Sequence, residues 1–163
     1  LMEFYSLSGS RLGLRGIPPL LASLMRQIPR LFEQDWSVAE ERLFPSPSHA
    51  PHEQTLREDW KAHVEPELHA LFLSARQVVE ADLRGFQESE GNYTLEFPVA
   101  HAESWLNALN QARLCLAAQH HLEEAELSQL GPIAIVSEKD LARLQIHFYA
   151  ALQQWLVEVL DTA

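Results

Sequence analysis

Residues 98–116 read PVAHAESWLNALNQARLCL, and the spacing of apolar residues in this stretch decides the fold. Trp105, Leu109, Ala112 and Leu116 recur at three- and four-residue steps, which places them on one face of an α-helix. Further apolar residues widen that face, namely Leu106, Leu114 and Cys115. A helix with so broad an apolar face belongs in the interior, so we expect it to be the central helix of the fold.

Helical spacing also extends to both sides of this central stretch. Apolar residues have this spacing over residues 18–34 and over about 53–87. Pro29 should interrupt the helix in the first of these segments. Pro66 favours one helix up to about Glu65 and a longer one from Pro66, because proline is tolerated in a first turn. Ser37 can cap a short helix that reaches Leu43. Ser137 should cap a final helix that runs to about 160.

Three short segments predict strands. Residues 4–7 and 11–15 flank a Ser-Gly-Ser turn and indicate a hairpin, and residues 93–97 alternate with three apolar side chains on one face. The sequence therefore predicts a mainly α protein, a compact multi-helix bundle with a small β-hairpin or three-stranded sheet at one end. At this length we expect residues 1–163 to form a single helical domain.

The composition disfavours several classes of partner. The chain has 12 basic and 23 acidic residues, a formal net charge of −11, which repels nucleic-acid phosphates and anionic membrane surfaces. No apolar run approaches the roughly 20 residues of a membrane-spanning helix. The one cysteine and the lack of a secretory signal pattern favour the cytoplasm. We expect a protein partner, no nucleic acid and no membrane. The oligomeric state is left open.

The sequence offers few candidates for reactive or ligand-binding residues. His120 with Glu124, and His63 with Glu67, share helix faces, but neither pair has a third ligand at a suitable spacing, so we predict no metal site. Cys115 lies within the apolar face, as a buried thiol would. Since no phosphate-binding glycine loop or nucleophile elbow is present, we predict no catalytic residue and no cofactor.

Asn110 and Arg113 are two strongly polar residues, three apart, on a helix otherwise dominated by tryptophan, leucine and cysteine. Either this edge of the helix faces water, or Arg113 forms an internal ion pair that fixes how the helices pack. Glu58 and Asp59 are the first candidates for the paired carboxylate. A ligand-binding arginine is the third alternative.

The central stretch resembles the signature of an uncharacterised bacterial family, domain of unknown function number two thousand and seventeen. That signature has Trp-Leu, then Leu-Asn-Asp, then Arg-Leu, and it matches from Trp105 to Leu116 except that Gln111 replaces the aspartate. Residues 42–45 resemble the family's Arg-Leu-Phe-Pro turn, and residues 148–157 resemble its closing helix. The resemblance singles out six residues as structural or interaction candidates, which are Trp105, Asn110, Arg113, Phe44, Pro45 and Trp155.

The resemblance implies a compact helical protein whose relatives are often encoded beside the adaptor of the Clp protease, and it implies no activity. The leading hypothesis is a non-enzymatic protein-interaction or regulatory module with a link to proteolysis. The alternative is a small-molecule-binding or hydrolytic domain that uses Arg113 and a nearby histidine. A deep pocket that contains Arg113 would favour the alternative, and a surface apolar patch would favour the module.

Overall fold

The computed structural model describes residues 1–32, 39–128 and 134–162. Within these ranges the chain forms four strands and seven α-helices. The strands are β1 (Glu3–Leu7), β2 (Arg11–Ile17), β3 (Gln87–Ser89) and β4 (Asn92–Pro98). The helices are α1 (Pro19–Gln27), α2 (Glu40–Leu43), α3 (Gln54–His63), α4 (Glu65–Leu83), α5 (Ala102–Gln119), α6 (Glu124–Leu127) and α7 (Glu138–Asp161). None of the described helices is long and apolar enough to cross a membrane.

The four strands form one antiparallel sheet in the order β1-β2-β4-β3. The two segments predicted as a hairpin are neighbours in it, and the third predicted strand pairs with β2. The sheet has four strands and not three, because residues 87–89 add a strand that their polar sequence did not indicate. The protein is therefore mainly α with a small sheet, and is not all-α.

Gly13 is required by the way β1 and β2 pair. It lies opposite Tyr5, and a Cβ atom at Gly13 would come within 2.3–2.7 Å of three atoms of the Tyr5 side chain. The Tyr5 hydroxyl donates to Glu96 Oε1 at 2.7 Å, so the aromatic ring crosses β2 to reach β4. This contact fixes β1 across the outer face of the sheet.

The described helices follow the predicted pattern with two changes of boundary. The first helix ends at Gln27 before Pro29, and the expected continuation to residue 34 lies partly outside the described residues, as does Ser37. Pro66 lies in the first turn of α4, as predicted. Helix α5 begins at Ala102 rather than at Pro98, after a single 3-10 turn. The Ser137 hydroxyl accepts from the Asp140 amide, which confirms the predicted cap of α7.

The core lies between the sheet and α5. Helix α5 packs against both α4 and α7, and its buried face meets the inward face of β2 and β4. The sheet contributes Leu12, Leu14, Leu95 and Phe97, and α5 contributes Trp105, Leu109, Ala112 and Leu116. A second, smaller cluster contains Phe32, Ala39, Leu43, Phe44, Cys115 and Ala118. The predicted central position of α5 is confirmed, whereas the arrangement as a bundle and the single domain stay predictions.

Candidate functional site

Asp82 contacts two polar side chains that follow it in the chain, His101 and Trp105. Its carboxylate accepts from Trp105 Nε1 at 2.9 Å and lies 2.9 and 3.0 Å from His101 Nδ1. Helix α4 provides Asp82 in its last turn, and the start of α5 provides both partners. A carboxylate that accepts from two donors on another helix holds the two helices at a fixed register.

Trp105, the tryptophan of the central stretch, is held in place by its hydrogen bond to Asp82. The indole ring is 1% exposed and stacks on Phe97 at 4.8 Å between ring centroids, so it contacts the sheet on one side and α4 through its N–H group. The sequence identified Trp105 but missed Asp82 and His101. One signal was present, because His101 and Trp105 are four residues apart and so share a helix face.

Arg113 bridges two helices, but not through the carboxylate that we expected. Its Nη1 donates to Gln153 Oε1 at 2.6 Å, and Gln153 Nε2 donates to the Leu106 carbonyl at 3.2 Å. The first candidates, Glu58 and Asp59, are wrong, since both lie exposed on α3. Burial lowers the pKa of Arg113 from its usual value, as expected for a guanidinium without a neighbouring anion. Arg113 thus links α5 to α7 through a neutral amide.

Because Arg113 contacts an amide and not the expected carboxylate, removing Arg113 should destabilise the protein less than removing one half of a buried ion pair would. We predict that Arg113→Ala lowers the free energy of unfolding by about 1–2 kcal/mol, because a hydrogen bond to a neutral amide is lost and no carboxylate is left buried. Urea denaturation of the purified variant measures this loss. Gln153→Ala is the matched variant, and a double-mutant cycle should show coupling between the two positions. A loss of about 3–5 kcal/mol would instead indicate the ion pair that the structure lacks.

Asn110 and Gln111 are adjacent in the sequence but differ in burial. Asn110 is exposed, whereas Gln111 is 1% exposed and neither its Oε1 nor its Nε2 has a hydrogen-bond partner. Gln111 lies three residues after Ala108 and four before Cys115, so helical spacing already places it on a buried face. It is also the position where the resembled signature has aspartate.

We predict that Gln111→Met raises the free energy of unfolding by about 1–2 kcal/mol. Methionine has a similar shape and removes an amide that is buried without partners, whose desolvation costs about 1–3 kcal/mol. Thermal and urea unfolding of the variant give the change. Asn110→Met, at the neighbouring exposed position, is the control and should change stability by less than about 0.5 kcal/mol. A destabilised Gln111→Met would show that the amide does bind a group in solution.

The remaining candidates lie in two places. Phe44 is buried in the second cluster, where its ring stacks on His69 at 3.9 Å and lies 5.5 Å from Phe72. Pro45 follows it and is exposed. Trp155 on α7 is half-buried and stacks on Phe4 of β1 at 4.5 Å. These contacts make Phe44 and Trp155 packing residues, and the structure does not bring them together with Arg113.

Cys115 and the histidine pairs give no reactive centre in the described chain. Burial raises the pKa of the Cys115 thiol to about 11, so at neutral pH it is protonated and a poor nucleophile. Among the described residues no three His, Cys, Asp or Glu side chains are placed to hold a metal ion. The clefts that we characterise in the described chain have volumes of about 200, 240 and 280 Å³, and Arg113 lines none of the three.

Comparison with known proteins assigns a family. The family model described as Domain of unknown function (DUF2017) matches residues 19–160, a range that includes Asp82, Trp105 and Arg113 and leaves out β1 and β2. No curated protein and no solved structure matches the chain. The match covers most of the sequence and agrees with the resemblance seen in the central stretch, and the chain therefore belongs to this family, whose description assigns no function.

Proposed function

We propose that the protein is a non-enzymatic protein-interaction or regulatory module that binds a protein partner through α3 and the first half of α4. The observation that supports this is the exposure of residues 54–74, which we call the helical arm. None of these residues is buried, although the arm carries apolar side chains along its length. They are Leu56, Trp60, Val64, Leu68, Leu71, Phe72 and Leu73.

The exposed side chains of the arm have the composition of an interface. Leu56 and Leu71 are 49% and 51% exposed, so about half of each side chain contacts solvent. Trp60 is half-buried, and its indole Nε1 is covered but has no hydrogen-bond acceptor. Tryptophan is enriched among the residues that dominate binding energy at interfaces.

Charge indicates what kind of partner the arm fits. The arm has two cations, Arg57 and Lys61, and four carboxylates, Glu58, Asp59, Glu65 and Glu67. The whole chain is also strongly acidic. We therefore propose a partner whose contacting surface is apolar with a basic rim, because such a surface complements the arm in both respects.

The proposed link to protein turnover rests on the family, whose members the resemblance places beside the Clp protease adaptor. That adaptor is accordingly the first purified protein to test as a partner. The cytoplasmic location expected from the sequence stays a prediction. No observation favours the alternative that uses Arg113 and a histidine, since Arg113 contacts Gln153 and lines none of the clefts described above.

Exposed apolar residues of equal accessibility allow a matched test. Leu71→Ser and Leu56→Ser alter the arm, and Leu20→Ser alters a residue of α1 that is 52% exposed, so all three should fold normally. Binding to the purified adaptor, and to any partner captured from the host and then purified, is measured by calorimetry. We expect the arm variants to weaken binding about tenfold or more and Leu20→Ser to leave it unchanged.

Two results would contradict the proposal. Equal binding by the arm variants and the Leu20→Ser variant would show that the arm is not the contact surface. Concentration-dependent self-association in analytical ultracentrifugation that the arm variants abolish would show that the arm is covered by a second copy of the chain, and not by a different protein.

A further inference from the structure

A positively charged cleft lies where α1 and α4 end. It has a volume of about 280 Å³ and is lined by Arg26, Pro29, Arg30, Glu80, Leu83 and Arg84. The chain has 12 basic residues against 23 acidic ones, yet three of the 12 meet at this cleft. The local charge is therefore opposite in sign to the charge of the whole protein.

Arg26 is held in place by two aromatic rings. Its guanidinium carbon lies 4.7 Å from the centroid of the Phe86 ring and 5.0 Å from that of Tyr93. A cation–π contact to a ring face does not occupy the N–H groups of the guanidinium with an oxygen acceptor, so they are able to donate to a ligand. An arginine side chain held in this way has lost part of its conformational freedom before any ligand binds.

In the described part of the chain, the three guanidinium groups are not matched by carboxylates. In the described residues no carboxylate oxygen lies within 4.0 Å of Arg26, Arg30 or Arg84, and Glu80 is the one acidic residue that lines the cleft. Among the described residues that line the cleft, three positive charges and one negative charge leave a formal charge of 3 − 1 = +2.

The ends of the helices explain part of this charge but not all of it. Arg26 lies in the last turn of α1, and Arg84 is the C-terminal cap of α4, so each is near carbonyl groups that favour a cation. Each helix end is equivalent to roughly half of a negative charge. Two helix ends therefore leave about one positive charge unbalanced, which an anion could neutralise.

We propose that this cleft binds the phosphate group of a small phosphate monoester. Such a group carries about −1.5 to −2 charge at neutral pH and has three acceptor oxygens, which suits three arginine forks better than the two oxygens of a carboxylate do. Pro29 and Leu83 are buried and form an apolar lining beside the arginines. The long-range field of a chain with net charge −11 disfavours a polyanion such as nucleic acid in the same place.

The test is a calorimetric titration at low ionic strength with inorganic phosphate, O-phosphoserine, serine and citrate. We expect saturable binding of phosphate and phosphoserine and none of serine. Arg30→Gln and Arg84→Gln should each weaken phosphate binding by roughly ten- to a hundredfold, the loss expected for a hydrogen bond to a charged group. Arg15→Gln is the matched control, because it removes the same charge from an exposed arginine of β2 that is paired with Glu3.

The other outcomes overturn the proposal. Absence of saturable phosphate binding would exclude the site, and an equal loss in Arg15→Gln would show that the attraction is a non-specific effect of charge. Tighter binding of citrate than of phosphate would assign the cleft to carboxylates. Binding of a phosphoserine peptide without binding of phosphate or phosphoserine would make a protein, and not a small molecule, the source of the group. Since the arm variants leave these arginines intact, failure here does not test the proposed function.

Discussion

Trp105→Ala is expected to lower the free energy of unfolding by about 3–5 kcal/mol, the range for removal of a fully buried aromatic side chain. Three contacts are lost together: burial of the indole, its stack on Phe97, and its hydrogen bond to Asp82. The last loss leaves the carboxylate, which is 9% exposed, with His101 as its remaining partner. Urea denaturation followed by circular dichroism measures the change.

Two further variants separate these contributions. Trp105→Phe keeps an aromatic ring against Phe97 but removes the indole donor, so we expect a smaller loss of about 1–2 kcal/mol. Trp60→Ala removes a tryptophan that is half-buried in the helical arm, and it should cost less than Trp105→Ala. If Trp105→Ala cost less than about 2 kcal/mol, the indole would not hold α4, α5 and the sheet together as the structure indicates.

Tyr149→Phe is expected to lower the free energy of unfolding by about 2–3 kcal/mol, although it removes only one oxygen atom. The buried hydroxyl donates to the Leu24 carbonyl and accepts from Gln145 Nε2 at 2.7 Å. Leu24 is among the last four residues of α1, whose carbonyls have no partner within the helix, so the hydroxyl caps α1 from α7. Its removal leaves the Leu24 carbonyl without this donor, whereas Gln145 Nε2 loses one of two acceptors and still donates to Gln27 Oε1 at 3.0 Å. A buried group left unsatisfied costs about 1–3 kcal/mol.

The same hydroxyl predicts a pH dependence. Burial raises the pKa of Tyr149 above its usual value of 10.0, so the folded state binds this proton more tightly than the unfolded state. The resulting stabilisation is complete below about pH 10 and is lost as the pH rises above it. The wild type should therefore lose more stability than Tyr149→Phe between about pH 9 and 11. Tyr5→Phe, which removes a half-buried hydroxyl that donates to Glu96, is the comparison variant at neutral pH and should cost less than Tyr149→Phe.

Sequence patterns predicted the elements that bury a regular apolar face. Helices α5 and α7 follow their three- and four-residue spacing, and Pro66 marked the start of α4 within two residues. Strand β3 was missed because Gln-Glu-Ser has no apolar face and exists only through pairing with β4. A strand of this kind forms because it pairs with a neighbouring strand, and the local sequence does not show that a neighbour is present.

The polar interior was harder to predict than the apolar one. The sequence left three roles open for Arg113, and the role that linked two helices named a carboxylate as its partner. The partner in the structure is an amide 40 positions away, and which partner Arg113 meets depends on how α5 and α7 are aligned. Asp82 was missed because one carboxylate near the end of a helix looks like any solvated residue. Gln111 could have been found, since helical spacing alone places it between buried neighbours.

The order of the strands in the sheet has a consequence for synthesis on the ribosome. Strand β2 leaves the ribosome before its partner β4, which follows roughly 80 residues later, and at about 5–20 residues per second this is a delay of about 4–16 seconds. During that interval β2 can pair only with β1, and Leu12, Leu14 and Ile17, which end up almost fully buried, lack the neighbouring strand β4. The nascent hairpin is therefore a natural substrate for chaperones that bind apolar strands during translation, and slowing synthesis between β2 and β4 should increase its aggregation.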